Sequence, residues 1–517
     1  MIPAVEAHEL TNRSAIELAA GIREGAWSAA EVTQAHIARI EQVNPALNAV
    51  VVKLYDDARR TATAIDDARR RGEPLGPLAG VPVTIKECFD IAGTPTTIGL
   101  PHRAKSLANG DAVLVARLRA AGAVILGKTN VPQLMIMHES DNPLYGRTLH
   151  PSSEYRSPGG SSGGEAAIIA AHGSPLGLAS DLGGSIRQPA HSCGICGFKP
   201  TAGRLTNRGS TNIFSGLEVL GGQPGPMTRT AADLAVAMQV FTGDIAAPVD
   251  CVTPPMPWNN ERAASAEPLR VGYWIEDGMQ RPSPAIRRAV ESAAAALRGA
   301  GVHVEQFEPP AVSELMQLYF RLISANGGGT LGAVLGGDAP QPAIRRLLRL
   351  ATIPRWTRPG LGGALRKFGQ SGAAWLLENT GGVSAAEFWK LVAEARRFQR
   401  LYVDQIVERK LTTLLCPPHN LVALTHGSSE YLPLAASPCM MMNLLGLPAG
   451  VIPWTTVARG EESDRAASND RVERAALAIE ADSAGLPVGV QIVGRPWDDE
   501  GTIAAMQQLE RLRKTAR

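Results

Sequence analysis

Two glycine-packed serine words stand in the middle of the chain, GGSSGG from Gly159 to Gly164 and DLGGS from Asp181 to Ser185. Glycine costs backbone entropy in regular structure and is useful where φ is positive or where a backbone must approach another group closely. Few structural needs place so many glycines beside small hydroxyls twice, so both words read as catalytic loops. Upstream, Lys86 in GVPVTIKECFD closes the short apolar run Val81 to Ile85. The rest of the chain is organised around these three points.

Their chemistry can be argued from residue types. A serine hydroxyl is a poor nucleophile until a base takes its proton. A carbonyl under attack needs donors aimed at its developing oxyanion, and the N–H groups of a glycine turn supply them. Leu182, Gly183, Gly184 and Ser185 are a candidate nest of this kind, with Ser185 at its rim as the attacking group. A G-x-S-x-G frame centred on Ser161 or Ser162 would instead suggest a nucleophile elbow with a later histidine as base. That elbow needs a buried strand directly before the glycine, whereas SSEYRSPGG is polar and breaks at Pro158. Lys86 is the other candidate base: at the end of a buried strand, desolvation lowers an ammonium pKa and leaves a neutral amine. From spacing alone, a strand-end lysine in a surface salt bridge is the simpler reading.

The words GVPVTIKECFD, KTNVPQ, SPGGSSGGEAA, SDLGGSIRQPA, GICGFKPTAGR, GPMTRT, GLPAGVIP and GLPVGVQIVG, in that order from about residue 75 to residue 497, resemble the amidase signature family. Within it, KECFD, NPLYGRT, SPGGSSGGE, GSPLGLASDLGGSIR and CGICGFKPT look most like the fatty acid amide hydrolases. The resemblance implies an α/β fold with a large mixed central β-sheet covered on both faces by helices. It also implies a Ser-Ser-Lys triad in which Lys86 is the base, Ser161 the bridging serine and Ser185 the nucleophile, with an acyl-enzyme intermediate and no cofactor or metal. Ser162 is left a supporting role within its loop. By the same resemblance Met135 borders the substrate, and Asp181 and Arg187 brace the nucleophile loop; ordinary packing and a surface ion pair are the alternatives.

The remaining composition excludes several classes. A formal charge of +2 gives no global pull toward nucleic acid or an anionic membrane. Six cysteines are scattered, and the one C-x-x-C, Cys193 with Cys196, has no second metal-binding pair to complete a zinc site, so both read as small buried hydrophobes in a reducing compartment. MIPAVEAHELTNRS lacks the basic and apolar regions of a signal peptide, and no apolar run approaches the roughly 20 residues of a membrane helix. A cytoplasmic location follows as the expectation, peripheral to a membrane if lipid is touched at all.

Along the chain, residues 1–75 read as an N-terminal helical segment and 76–517 as the amidase signature domain. Ser14 with Glu17 and Ser28 with Glu31 are capping-box starts. After the second, Val32, His36, Ile40 and Val43 recur at helical spacing, and Asn44-Pro45 should stop the helix. His36 on that stripe is a packed core histidine. Helical patterns at Asp111–Ala123 and Glu165–Gly173 alternate with a buried strand at Ala123–Asn130, which implies parallel strands covered by helices. Leu269–Trp274, a helix, and Val302–Phe307 form a parallel crossover unit. Ser384–Lys410 is a long helix, Leu411–Pro417 a buried strand, Ala458–Ala476 a charged mobile surface insertion, and Glu500–Arg513 the final helix.

Between residues 339 and 377 lie seven basic side chains (Arg345, Arg346, Arg349, Arg355, Arg358, Arg366 and Lys367) and no acidic one, interleaved with leucines, Trp356 and Phe368. A basic amphipathic helical pair of this kind is a membrane-surface signature; in the fatty acid amide hydrolases the corresponding region is a hydrophobic cap. The alternative is a solvated hairpin packed on the core or on a second subunit of a homodimer.

The expected activity is therefore hydrolysis of linear carboxylic amides with an apolar acyl chain, fatty acid amides or N-acylethanolamines. The competing readings are an amidase acting on aryl, peptide or cyclic oligo-amides, and an amidotransferase amidase subunit working in a complex. The expected partner is a small-molecule amide, with no nucleic acid.

Overall fold

A computed structural model describes residues 9–214, 216–243, 250–264 and 268–515. Residues 1–8, on which part of the signal-peptide reading falls, lie outside them. An 11-stranded sheet runs through the molecule in the order Val50–Lys53, Val124–Thr129, Pro82–Lys86, Leu176–Asp181, Gln223–Thr228, Cys196–Lys199, Ala449–Thr456, Pro487–Gly494, Thr413–Cys416, Arg270–Tyr273 and His303–Gln306. Successive residues of a strand face opposite sides of a sheet. Every residue of Pro82–Lys86, Val124–Thr129, Cys196–Lys199, Gln223–Thr228 and Thr413–Cys416 is buried, so both faces are covered.

The alternating pattern reads correctly at the two flanks. Pro82–Lys86 pairs in parallel with Val124–Thr129 and with Leu176–Asp181, and the Arg270–Tyr273 and His303–Gln306 strands are parallel as expected of a crossover. The middle is antiparallel, from Leu176–Asp181 through to Thr413–Cys416, so the sheet is mixed.

Three local expectations need amending. Residues 1–75 are not all helix: Val50–Lys53 forms the sheet edge against Val124–Thr129. The helix begun at Ser28 runs through Pro45 to Leu47 and ends at the left-handed Asn48. Proline forfeits one backbone hydrogen bond in the last turn, and the Asn44 carboxamide meets the N–H groups of Ala49 and Val50 at 2.8 Å each. The charged stretch Ala458–Ala476 is tied down: Arg465 reaches Glu480 at 2.9 Å and Glu473 at 2.8 Å, Arg288 holds Glu461 at 2.5 Å, and Arg471–Glu480 is a helix. His36 is the packed histidine expected, its Nδ1 3.0 Å from the Val32 carbonyl.

The segment 339–377 forms three helices, Pro342–Thr352, Arg358–Lys367 and Ser371–Glu378. Three of its seven cations are answered by carboxylates from outside. Arg346 pairs with Glu430 at 3.2 Å, Arg355 with Glu387 and Arg366 with Glu378, while Arg358 is buried and donates to the carbonyls of Leu350, Ile353, Leu377 and Thr380. Trp356 and Phe368 are 85% and 79% exposed. No helix among the described residues is long and apolar enough to cross a membrane.

Candidate active site

The three groups marked in the sequence meet at the carboxyl ends of neighbouring parallel strands, the usual place for a site in an α/β sheet. Lys86 ends one strand; Ser180 and Asp181 end the next. The GGSSGG loop crosses in front of them and runs into the helix Gly163–Ala170, with the Gly160–Ser161 peptide bond cis.

Lys86 is fully buried. Its Nζ lies 2.8 Å from Ser161 Oγ, 3.0 Å from Ser180 Oγ and 3.1 Å from the Ser180 carbonyl. Burial pulls the ammonium down to about 8, against the opposing pull of Cys88, Asp181 and Glu165. Glu165, one turn beyond Ser161, accepts hydroxyls from Thr84 and, at 2.7 Å, Thr129. Burial lifts that carboxyl to about 7.

Ser185 lines the same cavity as Ser161, and the two loops are stitched by the Ser162 N–H donating to the Ser185 carbonyl at 3.2 Å. The Ser162 hydroxyl donates not within its own loop but to the Ser180 carbonyl, on the Leu176–Asp181 strand, at 3.3 Å. Asp181 and Arg187 are no surface pair: neither side chain is exposed, and Arg187 also reaches Gln491 and Asn443 at 2.8 and 2.6 Å. Asp181 in turn accepts the N–H groups of Gly184 at 2.8 Å and Ile186 at 3.0 Å. Burial alone would raise the Asp181 carboxyl, but the Arg187 guanidinium and these donors hold it well below the usual carboxylate range.

This bonding divides the expected oxyanion nest. The Gly184 N–H is already given to Asp181, so Gly184 shapes the turn, at φ 106°, rather than offering a donor to the cavity. Leu182, Gly183 and Ser185 line the cavity, and among the described residues no protein acceptor meets their N–H groups. Met135 lines it too, with both Leu134 and Met135 in the left-handed backbone region, a strained place for such side chains.

Ser180, the second partner of Lys86, sits inside the SDLGGS word but was not singled out from it. Nor were His138, Tyr319, Asn443 and Gln491, which brace the 181–187 turn from distant parts of the chain. Cys193 and Cys196 are free thiols whose nearest acceptors are different backbone carbonyls, those of Pro158 and Arg229.

The cavity encloses about 230 Å³. From Ser161 and Ser185 it extends along Phe320 and Ile323 to Leu331, Leu347, Leu350 and Leu376, so the segment 339–377 supplies part of its apolar wall. Asn207, Ser210 and Asn212 add a polar side.

Residues 31–503 match the family model described as Amidase. The chain is 34% identical over 505 residues to the protein named Fatty-acid amide hydrolase 1 from Sus scrofa, covering 96% of this chain and 85% of that relative. It is 30% identical over 495 residues to the Caenorhabditis elegans protein named Fatty acid amide hydrolase 1, covering 95% and 86%. A solved structure titled Fatty acid amide hydrolase superposes with a TM-score of 0.83 at 27% identity, covering 98% of this chain and 86% of that one.

Proposed function

From the chain's membership of the amidase signature family, which makes it an amide-hydrolysing enzyme, we propose that it cleaves linear amides carrying a long apolar acyl chain, through a triad of Lys86, Ser161 and Ser185. The observation that carries this reading is the cavity that leads from the two serines to the leucines of segment 339–377. An acyl chain laid along that wall gains about 0.8 kcal/mol for each methylene removed from water. The names of the two relatives point the same way.

In the mechanism proposed, neutral Lys86 takes the Ser161 proton as Ser161 takes that of Ser185. The Ser185 oxygen attacks the carbonyl carbon, and the developing oxyanion is met by cavity-facing N–H groups of Leu182, Gly183 and Ser185. As the C–N bond breaks, Lys86 returns the proton through Ser161 to the departing amine. Water then attacks the acyl-enzyme by the same relay, releasing the acid and restoring Ser185.

The outward side of segment 339–377, with Trp356 and Phe368 exposed, is where the enzyme would rest on a lipid surface that holds such substrates.

The test is hydrolysis of primary and N-substituted amides from acetyl to oleoyl, on the native chain and on Ser185→Ala. The expected result is a kcat/KM that climbs with chain length by up to about fourfold per methylene and vanishes in the variant. Preference for short or aromatic amides would keep Ser185 and remove the fatty acyl part of the reading. Activity only with copurifying subunits would favour an amidotransferase role.

A further inference from the structure

The backbone between Leu182 and Gly184 is held by two side chains from elsewhere in the chain. Tyr319, on the helix Val312–Ile323, donates its hydroxyl to the Leu182 carbonyl at 3.2 Å. His138 places Nε2 3.1 Å from the Gly183 carbonyl. A carbonyl oxygen only accepts, so His138 carries its proton on Nε2.

In a trans peptide the C=O and the N–H point to opposite sides of the chain. Anchoring the Leu182 carbonyl on Tyr319 therefore turns the Gly183 N–H away from that ring. Anchoring the Gly183 carbonyl on His138 sends the Gly184 N–H the other way, where Asp181 receives it at 2.8 Å. Two successive peptide planes are thus fixed from both sides. The Gly183 N–H is left with no protein acceptor among the described residues, in a residue that lines the cavity beside Ser185. The fit is close: a Cβ added to Gly183 would lie 2.5 Å from the Tyr319 hydroxyl oxygen, so the hydroxyl's place there depends on the glycine.

We propose that Tyr319 and His138 are positioning residues that hold the Leu182–Gly183–Gly184 backbone so that the Gly183 N–H faces the oxyanion. The proposal rests on Ser185 being the nucleophile. Both side chains also line the cavity, but neither takes part in proton transfer; each acts through the peptide it clamps. Because a peptide dipole helps a transition state only when it is already aimed, loosening the clamp costs rate and spares substrate binding.

The experiment uses Tyr319→Phe, His138→Leu and His138→Gln with three readouts: kcat and KM on a long-chain amide, the affinity of a long-chain trifluoromethyl ketone that forms a hemiketal with a serine, and the affinity of the free fatty acid. Tyr319→Phe and His138→Leu should lower kcat by roughly tenfold, the effect of losing one ordering hydrogen bond to an oxyanion donor, with KM nearly unchanged. Ketone affinity should fall by the same factor and fatty acid affinity should hold. His138→Gln, which keeps an N–H donor, should recover most of the loss. Equal weakening of ketone and fatty acid, or an unchanged kcat, would overturn the proposal. Failure of the underlying reading looks different: Ser185→Ala would then bind the ketone as tightly as the native chain.

Discussion

Asp181 and Arg187 face each other across two hydrogen bonds, Nη2 to Oδ1 at 2.9 Å and Nε to Oδ2 at 3.0 Å, with neither side chain exposed to solvent. The same carboxylate holds the Gly184 and Ile186 N–H groups, so one buried ion pair ties the core to the turn that carries Ser185. Removing one partner of a buried pair strands the other charge and costs about 3–5 kcal/mol. Arg187→Met should lose that much in urea unfolding at neutral pH, and catalysis with it. The pH dependence has a fixed sign. The Asp181 pKa lies below its unfolded value, so its contribution is fully present above about pH 4 and is lost as the pH falls through the lower folded value. A variant as stable as the native chain at pH 7 would show that the pair only fills space.

Lys86 supplies a prediction about rate. Its burial brings it to about 8, and only the neutral amine accepts a proton from Ser161. With chemistry limiting, kcat/KM should rise about tenfold per unit through pH 6 to 7 and level off above about 8. Lys86→Met should abolish that limb together with most of the activity. A flat profile between pH 6 and 9 would remove Lys86 as the base.

How much of this was legible beforehand depended on whether the contact was local. The position of Lys86 at a buried strand end followed from the apolar run before it, and the capping boxes at Ser14 and Ser28 formed as their spacing required. Gln223–Thr228 is the opposite case. Its two prolines argue locally against a central strand, yet it is the fifth strand from the Val50–Lys53 edge, directly beyond Leu176–Asp181. Only its last two residues, Met227 and Thr228, pair with Cys196–Lys199, so on that side the ladder stops short of the prolines, which have no N–H to give it. Tyr319 was invisible for another reason: its partner is a backbone carbonyl 137 residues away, and no side-chain pattern records such a bond. The basic run at 339–377 reads as unanswered charge because Glu378, Glu387 and Glu430, which pair with three of its cations, lie outside the run.

The leucine wall can be tested independently of the serines. Leu347 and Leu350 line the cavity from the helix Pro342–Thr352. Leu350→Trp should shorten the preferred acyl chain by several carbons while leaving hydrolysis of short amides unchanged. The shift is read from kcat/KM across the chain-length series. If all chain lengths suffer equally, the wall does not hold the acyl group.

The proposed lipid contact would divide into an apolar and a charged contribution, and the ion pairs decide between them. Arg346, Arg355 and Arg366 are each matched by a glutamate and Arg358 is buried. Of the seven cations, Arg345, Arg349 and Lys367 are left without a carboxylate partner among the described residues. An exposed cation near an anionic surface contributes about 1 kcal/mol and is screened by salt, whereas the exposed Trp356 and Phe368 would insert by burying ring surface that salt does not weaken. Vesicle cosedimentation should therefore show binding that survives raised salt and depends only weakly on anionic lipid. Trp356→Ala combined with Phe368→Ala should reduce it by at least tenfold. The same double variant should hydrolyse a soluble short-chain amide at the native rate, because neither ring lines the cavity. Binding that disappears at high salt while persisting in the double variant would assign the contact to the unpaired cations instead, and loss of short-chain activity would mean that the two aromatics support the fold of the segment rather than its contact with lipid.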